Sequence, residues 1–322
     1  MKCDFKLREE ISELLCCPVC KSELKLEKDG FCCISDRCHS IFPMVDGIPV
    51  LINESNSIFS LSDFERHRDT YFKTYSKSEK FLRRFLPAID QNLKAEANLS
   101  KFAGLILRES TDPKVLILGG SKVGRGLKDI LSHESIRFVE TDVSFGPRTT
   151  VICDVHDIPF RDETFDGVIA QAVLEHVVDP YRCVEEIFRV LKKKGIVYAE
   201  TAFMQYLHGG RYDFTRFTHL GHRRLFRRFD EICSGAEGGA GMSLAWAYRA
   251  FLLSFVSSRL ARAAIKAFAR YSAWELKYID YYLINKPGTL DAAFEYSFMG
   301  RKSDKIISDK EIIKEYRGTD EH

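Results

Sequence analysis

Between residues 112 and 204 the hydrophobic positions form short apolar runs, each closed by glycine or an acid. Val115-Leu116-Ile117-Leu118 is an unbroken apolar run that predicts a strand buried on both faces. It leads into Gly119-Gly120-Ser121-Lys122-Val123-Gly124-Arg125-Gly126 and then a helix-like segment, Leu127 to Leu131. The next run, Phe138-Val139, ends in Glu140-Thr141-Asp142. Thr164 to Ala170 predicts a fourth strand with Gln171 at its carboxyl end, and Ile196 to Glu200 a fifth. Between them a helix is signalled by Asp179 as N-cap and Pro180 at the first position. Val184, Ile187, Phe188 and Leu191 share one face, and Gly195 is the expected stop. Strands alternating with helices predict an α/β fold with a parallel sheet. A strand, a glycine turn and a helix bring backbone close to a nucleotide, and an acid ending the next strand suits ribose hydroxyls. Asp142 is the first choice for that acid, with Glu140 the alternative.

Around this stretch the pattern changes. Asn53 to Ser62 is polar and serine-rich and reads as a linker. Phe64, Tyr71, Phe72 and Tyr75, then Phe81, Leu82 and Phe85, recur at helical spacing until Pro87. Leu93, Ala97, Phe102, Leu105 and Ile106 predict another helix. The glycine-rich stretch Cys233 to Gly241 reads as a mobile loop. Residues 242–285 read as aromatic-rich helices closed by Pro287-Gly288, and Ala293 to Gly300 alternates like a final antiparallel strand. Residues 301–322 are charged and expected to fray.

The cysteines add a second feature. Seven of the ten lie in the first 38 residues. Leu7, Ile11, Leu14 and Leu15 predict a short helix ahead of the pair Cys17-Pro18-Val19-Cys20. A second pair, Cys33 and Cys38, follows a hairpin-like stretch. Two thiol pairs flanking a hairpin fit a four-thiolate tetrahedral zinc site, which stands in for the core so small a unit lacks. The doubled cysteines Cys16-Cys17 and Cys32-Cys33 leave the register open, and His39 is a further candidate ligand.

Two resemblances organise these observations. The ordered series Asp154…Pro159-Phe160, Phe165-Asp166-Gly167-Val168, Leu174-Glu175-His176 and Arg189-Val190-Leu191-Lys192 resembles the class I S-adenosylmethionine-dependent methyltransferases, closely over 112–204. The first module resembles the zinc-ribbon family that includes the activator subunit of tRNA and protein methyltransferases, through Phe42-Pro43-Met44-Val45-Asp46-Gly47-Ile48-Pro49 after the last cysteine. That family's spacing selects Cys17, Cys20, Cys33 and Cys38 as zinc ligands. The first resemblance implies a Rossmann-like seven-stranded sheet that binds S-adenosylmethionine. Gly119 and Gly120 would face the methionine part, Gly124 and Gly126 would let the helix start close to it, Asp142 would hold the ribose, and Asp154 and Val155 the adenine edge, with Gln171 at the sheet edge. It also implies that the polar, aromatic string from Thr201 to His219 receives the acceptor. There His208 is the candidate general base, with Asp213 and Arg216 orienting it or binding the acceptor, and His176 faces the methyl group or ties the loop. The family's acid before the first glycine is Ile117 here, and the glycine pattern is shifted.

The domains expected are a zinc ribbon (1–55), a helical connector (56–111) and a methyltransferase domain (112–300). A helical cap at 242–285 lies over the acceptor side, and a charged tail closes the chain (301–322). The net charge of +2 gives no bias toward nucleic acid, and the basic run His222 to Arg228 reads as a solvated face. The charged start predicts no secretion signal, and no apolar run spans a bilayer, so a cytoplasmic location is expected. The expected acceptor is a small molecule or glycan-type metabolite with an oxygen or nitrogen nucleophile. Alternatives are RNA methylation, a non-catalytic scaffold and, for the basic helices of the cap, contact with a membrane surface.

Overall fold

The computed structural model describes residues 9–68 and 86–319. The helical patterns expected at Leu7 and from Tyr71 to Phe85 lie outside them. Strand β5 (Lys114–Leu118) is central, hydrogen-bonded in parallel to β6 (Arg137–Asp142) on one side and β8 (Phe165–Gln171) on the other. Its residues alternate between two cores, as a pleat with helices on both faces requires. Leu116 and Leu118 pack with Val184, Ile187 and Val190 of helix Pro180–Val190. Val115 and Ile117 pack with Leu99, Phe102 and Ile106 of helix Ala95–Glu109. The sheet continues through β7 (Val151–Cys153) on one flank. On the other come β9 (Leu191–Ala202), β11 (Glu295–Lys302) and β10 (Phe229–Gly238), with β11 antiparallel to both of its neighbours.

The seven strands expected are present in the order β7-β6-β5-β8-β9-β11-β10, but the sheet has eleven. The cysteine module supplies the other four: β1 (Leu24–Glu27), β2 (Gly30–Cys33), β3 (Ile41–Val45) and β4 (Ile48–Leu51). Asp46 and Gly47, both at positive φ, turn the two-residue hairpin between β3 and β4. Strand β4 then pairs in parallel with β7, Val50 opposite Ile152 and Leu51 opposite Cys153. β7 is only three residues long and would otherwise be an open edge; the fully buried β4 covers it.

Several local expectations are corrected. The glycine-rich "loop" at 233–241 is mostly β10. Register shifts at Glu231/Cys233 and Ala236/Gly238 break the two-residue alternation that would have announced a strand. Helix Pro180–Val190 stops before Leu191, which turns extended and pairs with Phe165, so Gly195 lies within β9. Pro287 starts a short helix, Pro287–Asp291, at its first position. The charged tail is folded as far as residue 319: helix Asp309–Ile313, opened by a Ser308–Glu311 capping box, docks on helix His219–Leu225. The basic run is solvated only in part. Arg223 is 2% exposed and reaches Glu315 at 2.8 Å and Glu231 at 3.3 Å, Arg224 and Arg227 meet Asp309, and Arg228 meets Glu185.

Helices Ala240–Ser254, Arg259–Ala273 and Leu276–Leu283 form the excursion before β11. Buried Asp280 accepts from Gly241 N and Met242 N, tying the third helix to the start of the first. Among the described residues no helix is long and apolar enough to cross a membrane.

Candidate active site and cysteine cluster

The carboxyl ends of β5, β6, β7 and β8 surround a cavity of about 330 Å³. This is the edge where open α/β sheets place ligands. Gly119, Gly124, Asp142, Asp154, Val155, Gln171, His176 and His208 all line it. Gly119 has φ +72, and a Cβ there would lie 2.7 Å from Val173 Cγ2, so the turn needs glycine twice over. At Gly124 a Cβ would fall 2.5 Å from Gln171 Oε1, an oxygen with no hydrogen-bond partner. Gly120 does not line the cavity. It packs on Glu140 and its N–H donates to Thr141 O, because the turn directs its face toward β6.

Asp142 Oδ2 accepts from Ser121 N at 3.0 Å, and burial raises its carboxyl above the ordinary range. Glu140, the alternative acid, is held by Arg148 away from the cavity. Asp154 is nearly buried and its carboxylate is largely engaged. Oδ1 takes His156 Nδ1 at 2.5 Å and His156 N at 3.1 Å, and Oδ2 takes Ser57 Oγ at 2.6 Å. Burial pushes its pKa up, but the His156 contact and Ser57 outweigh it and the net shift is downward. His156 Nε2 accepts from Asp179 N, which fixes the tautomer that donates to Asp154.

Two neighbouring segments close the cavity. Ile58 and Phe59, in the stretch read as a linker, line it, and the Phe59 ring lies 5.7 Å from that of Tyr212. The serine and asparagine density that suggested a linker is instead a set of side-chain donors: Ser57 to Asp154, Asn53 and Asn56 to Asp157. The loop after β9 supplies His208 and Tyr212. Asp213 and Arg216 do not line the cavity. Asp213 accepts from the N–H groups of His208 and Gly209 and from Arg216, which holds its carboxyl down at about 2 against the effect of burial. Those two residues shape the loop that presents His208. The 242–285 helices contribute no lining residue; the Trp246 ring of the first lies 6.4 Å from that of His208. Ala172, just past β8, lines the cavity at φ +50, a conformation sequence patterns do not announce.

Beneath the cavity Glu175 is fully buried, and neither carboxylate oxygen meets a donor in hydrogen-bond geometry. Burial raises its pKa to about 7, partly offset by its own N–H and that of Ala202 nearby. Away from this site, Cys17, Cys20, Cys33 and Cys38 point inward with their sulfurs all within 4.8 Å of one another. Cys17 lies 3.7 Å from Cys38, and Cys20 lies 3.4 Å from Cys33. Four thiols so close fit one tetrahedral metal ion. His39 is not part of this cluster.

A glycine turn and two acids thus converge on one cavity at the carboxyl edge of a parallel sheet. A family described as "Methyltransferase domain" matches residues 130–199. A 57-residue segment is 32% identical to the UPF0434 protein PSHAa1659 of Pseudoalteromonas translucida, covering 18% of this chain and 88% of that protein. The chain thus carries a methyltransferase domain and a UPF0434-type segment in one polypeptide. Among solved structures, one is a complex of the Haloferax volcanii Trm112 methyltransferase activator with a protein proposed to be a methyltransferase. It is 17% identical over 66% of this chain and 99% of the matched chain, with TM-score 0.41. Another is the Burkholderia thailandensis 1,6-didemethyltoxoflavin-N1-methyltransferase with its substrate and S-adenosylhomocysteine. It is 14% identical over 65% and 80% of the two chains, with TM-score 0.39. S-adenosylmethionine fits the residues present: a cradle that a Cβ would fill at Gly119 and Gly124, two buried acids, and an unpaired amide oxygen on Gln171.

Proposed function

We propose that this protein transfers a methyl group from S-adenosylmethionine to an oxygen or nitrogen of a small-molecule or glycan-type acceptor. One observation carries this reading: the glycine turn, both acids and the His176–His208 pair line a single cavity. Gly119 and Gly124 leave room for the donor's methionine part, Asp142 accepts from the ribose, and Asp154 with Val155 meets the adenine edge. Asp154 keeps lone-pair capacity on Oδ2 beyond the Ser57 contact. The donor brings an already activated methyl group, so the protein's tasks are alignment and proton removal. Burial lowers the pKa of His208, which keeps its imidazole neutral near pH 7 and able to take the acceptor's proton. Asp213 and Arg216 hold the loop that presents it.

Zinc is the ion proposed for the four cysteines, on the strength of their sulfur-only tetrahedral grouping. RNA as acceptor is disfavoured because the basic run is already paired with acids of this chain, Arg223 with Glu315, Arg224 with Asp309 and Arg228 with Glu185. Titration calorimetry with S-adenosylmethionine tests the reading. Saturable binding that Asp142→Ala weakens about ten- to a hundredfold supports it, since a hydrogen bond to a charged group is worth about 1.5–3 kcal/mol. Absence of saturable heat in the wild-type chain overturns it and leaves a scaffold.

A further inference from the structure

We propose a second metal site, separate from the cysteines, in which Glu175, His176 and His208 bind a divalent transition cation at the floor of the donor cavity. Their three nearest ligand atoms converge. His176 Nε2 lies 3.0 Å from His208 Nε2, and each lies 4.0 Å from Glu175 Oε1. A single ion set centrally among the three atoms would lie about 2.2 Å from each, close to the lengths of metal–nitrogen and metal–oxygen bonds.

The hydrogen bonds around the rings decide which atoms face inward. His176 Nδ1 meets Tyr212 O at 2.9 Å, and a carbonyl can only accept, so Nδ1 carries the hydrogen and Nε2 is a lone pair. His208 Nδ1 faces the buried carboxylate of Asp213 at 3.7 Å, which favours a hydrogen there too. Two ring nitrogens then present lone pairs to one another at 3.0 Å, beside a carboxylate with no donor. Three ligand atoms that face one another in this way are an arrangement one cation can bridge. A metal ion satisfies all three. A backbone carbonyl and a carboxylate behind the two rings are also the outer partners that fix metal-binding histidines. Gly209 belongs to the arrangement: a Cβ there would lie 2.7 Å from His176 Nδ1, so only glycine lets the ring seat.

Two imidazoles and one carboxylate suit Zn²⁺, Fe²⁺, Co²⁺ or Mn²⁺ and leave coordination positions open. His176 and His208 both line the cavity, so those positions face the acceptor side and fit a water or an acceptor hydroxyl. That role rests on the methyl-transfer reading, and it changes one part of it. With the ion bound, His208 is a ligand, and the acceptor hydroxyl loses its proton to solvent with the ion holding the oxygen.

Metal analysis of the purified full-length chain, reconstituted with Zn²⁺ or Co²⁺ and dialysed, tests the site independently of methyl transfer. Two ions per chain are expected. Cys20→Ser should remove one of them, and Glu175→Gln, His176→Ala or His208→Ala the other. In the cobalt form, the His208→Ala protein should keep its thiolate-to-metal charge-transfer bands and lose only the weak bands of a nitrogen–oxygen site. Retention of those charge-transfer bands also shows that the variant is folded. One ion per chain, or two that persist in all three variants of the triad, overturns the proposal. A single ion with intact donor binding leaves His208 as the base, so failure here is distinct from failure of the methyl-transfer reading.

Discussion

Gly119 shows how much one residue can carry. Its φ of +72 strains any side chain, and a Cβ would press on Val173 Cγ2. Gly119→Ala should cost about 1–3 kcal/mol of stability through backbone strain and displace the cavity wall. Urea unfolding and donor titration check this, and wild-type values for both would show that the turn is not held as described. His222 carries a different load. It is buried among Phe217, Phe226 and Phe298, and burial drives its pKa from 6.5 to about 3. The folded state thus binds the proton less readily than the unfolded state. The stability from keeping the ring neutral is complete above pH 6.5 and is lost as pH falls toward 3. His222→Phe should flatten that acid slope by a few kcal/mol, at about 1.4 kcal/mol per pKa unit. Matching slopes for the two proteins in unfolding experiments from pH 7 to 4 would refute it.

Strand β4 decides how far the cysteine module reaches into the catalytic half. All four of its residues are buried, and Leu51 sits opposite Cys153, one residue before Asp154. A carboxylate at position 51 has no partner and displaces β7. Leu51→Asp should therefore cost about 3–5 kcal/mol and weaken donor binding together with stability. Ile41→Asp, at a site 68% exposed in the same module, should change stability by less than about 0.5 kcal/mol. Equal effects of the two substitutions on urea midpoints would mean that β4 does not continue the sheet in solution. The neighbouring segment 53–62 teaches a related lesson. Serines and asparagines suggested slack chain, yet Ser57, Asn53 and Asn56 fasten it to Asp154 and Asp157. A polar side chain reads the same in a sequence whether its partner is water or a buried acid.

Across the whole molecule the continuous sheet joins the cysteine module to the catalytic half. A ribbon hung on a linker would melt by itself when its ion is removed. A ribbon whose last strand pairs with β7 should not. Calorimetry of the metal-loaded chain should show one main transition, and stripping metal with a chelator should lower the temperature of that transition, since a ligand bound only to the native state stabilises all that folds with it. A separate early transition with the main one unmoved would contradict this coupling. The tail belongs to the same unit: Glu315 reaches back to Arg223 and Arg317 to Ser234, so charge density alone misjudged it as frayed.

The sequence by itself determined the alternation of strands and helices, the glycine turn, the acid ending β6 and the spacing of the thiol pairs. These depend on periodicity, backbone sterics and local ligand geometry, which act over a few residues. It did not determine that β4 would extend the catalytic sheet, that a serine-rich segment would wall the cavity, or that Asp213 would lie under the loop and not in the site. Nor did it announce that His176 and His208, 32 positions apart, would meet at 3.0 Å with the buried Glu175 carboxylate 4.0 Å from each. Those outcomes depend on which surfaces meet once the chain has closed, and burial, which sets the pKa values there, exists only in the folded molecule.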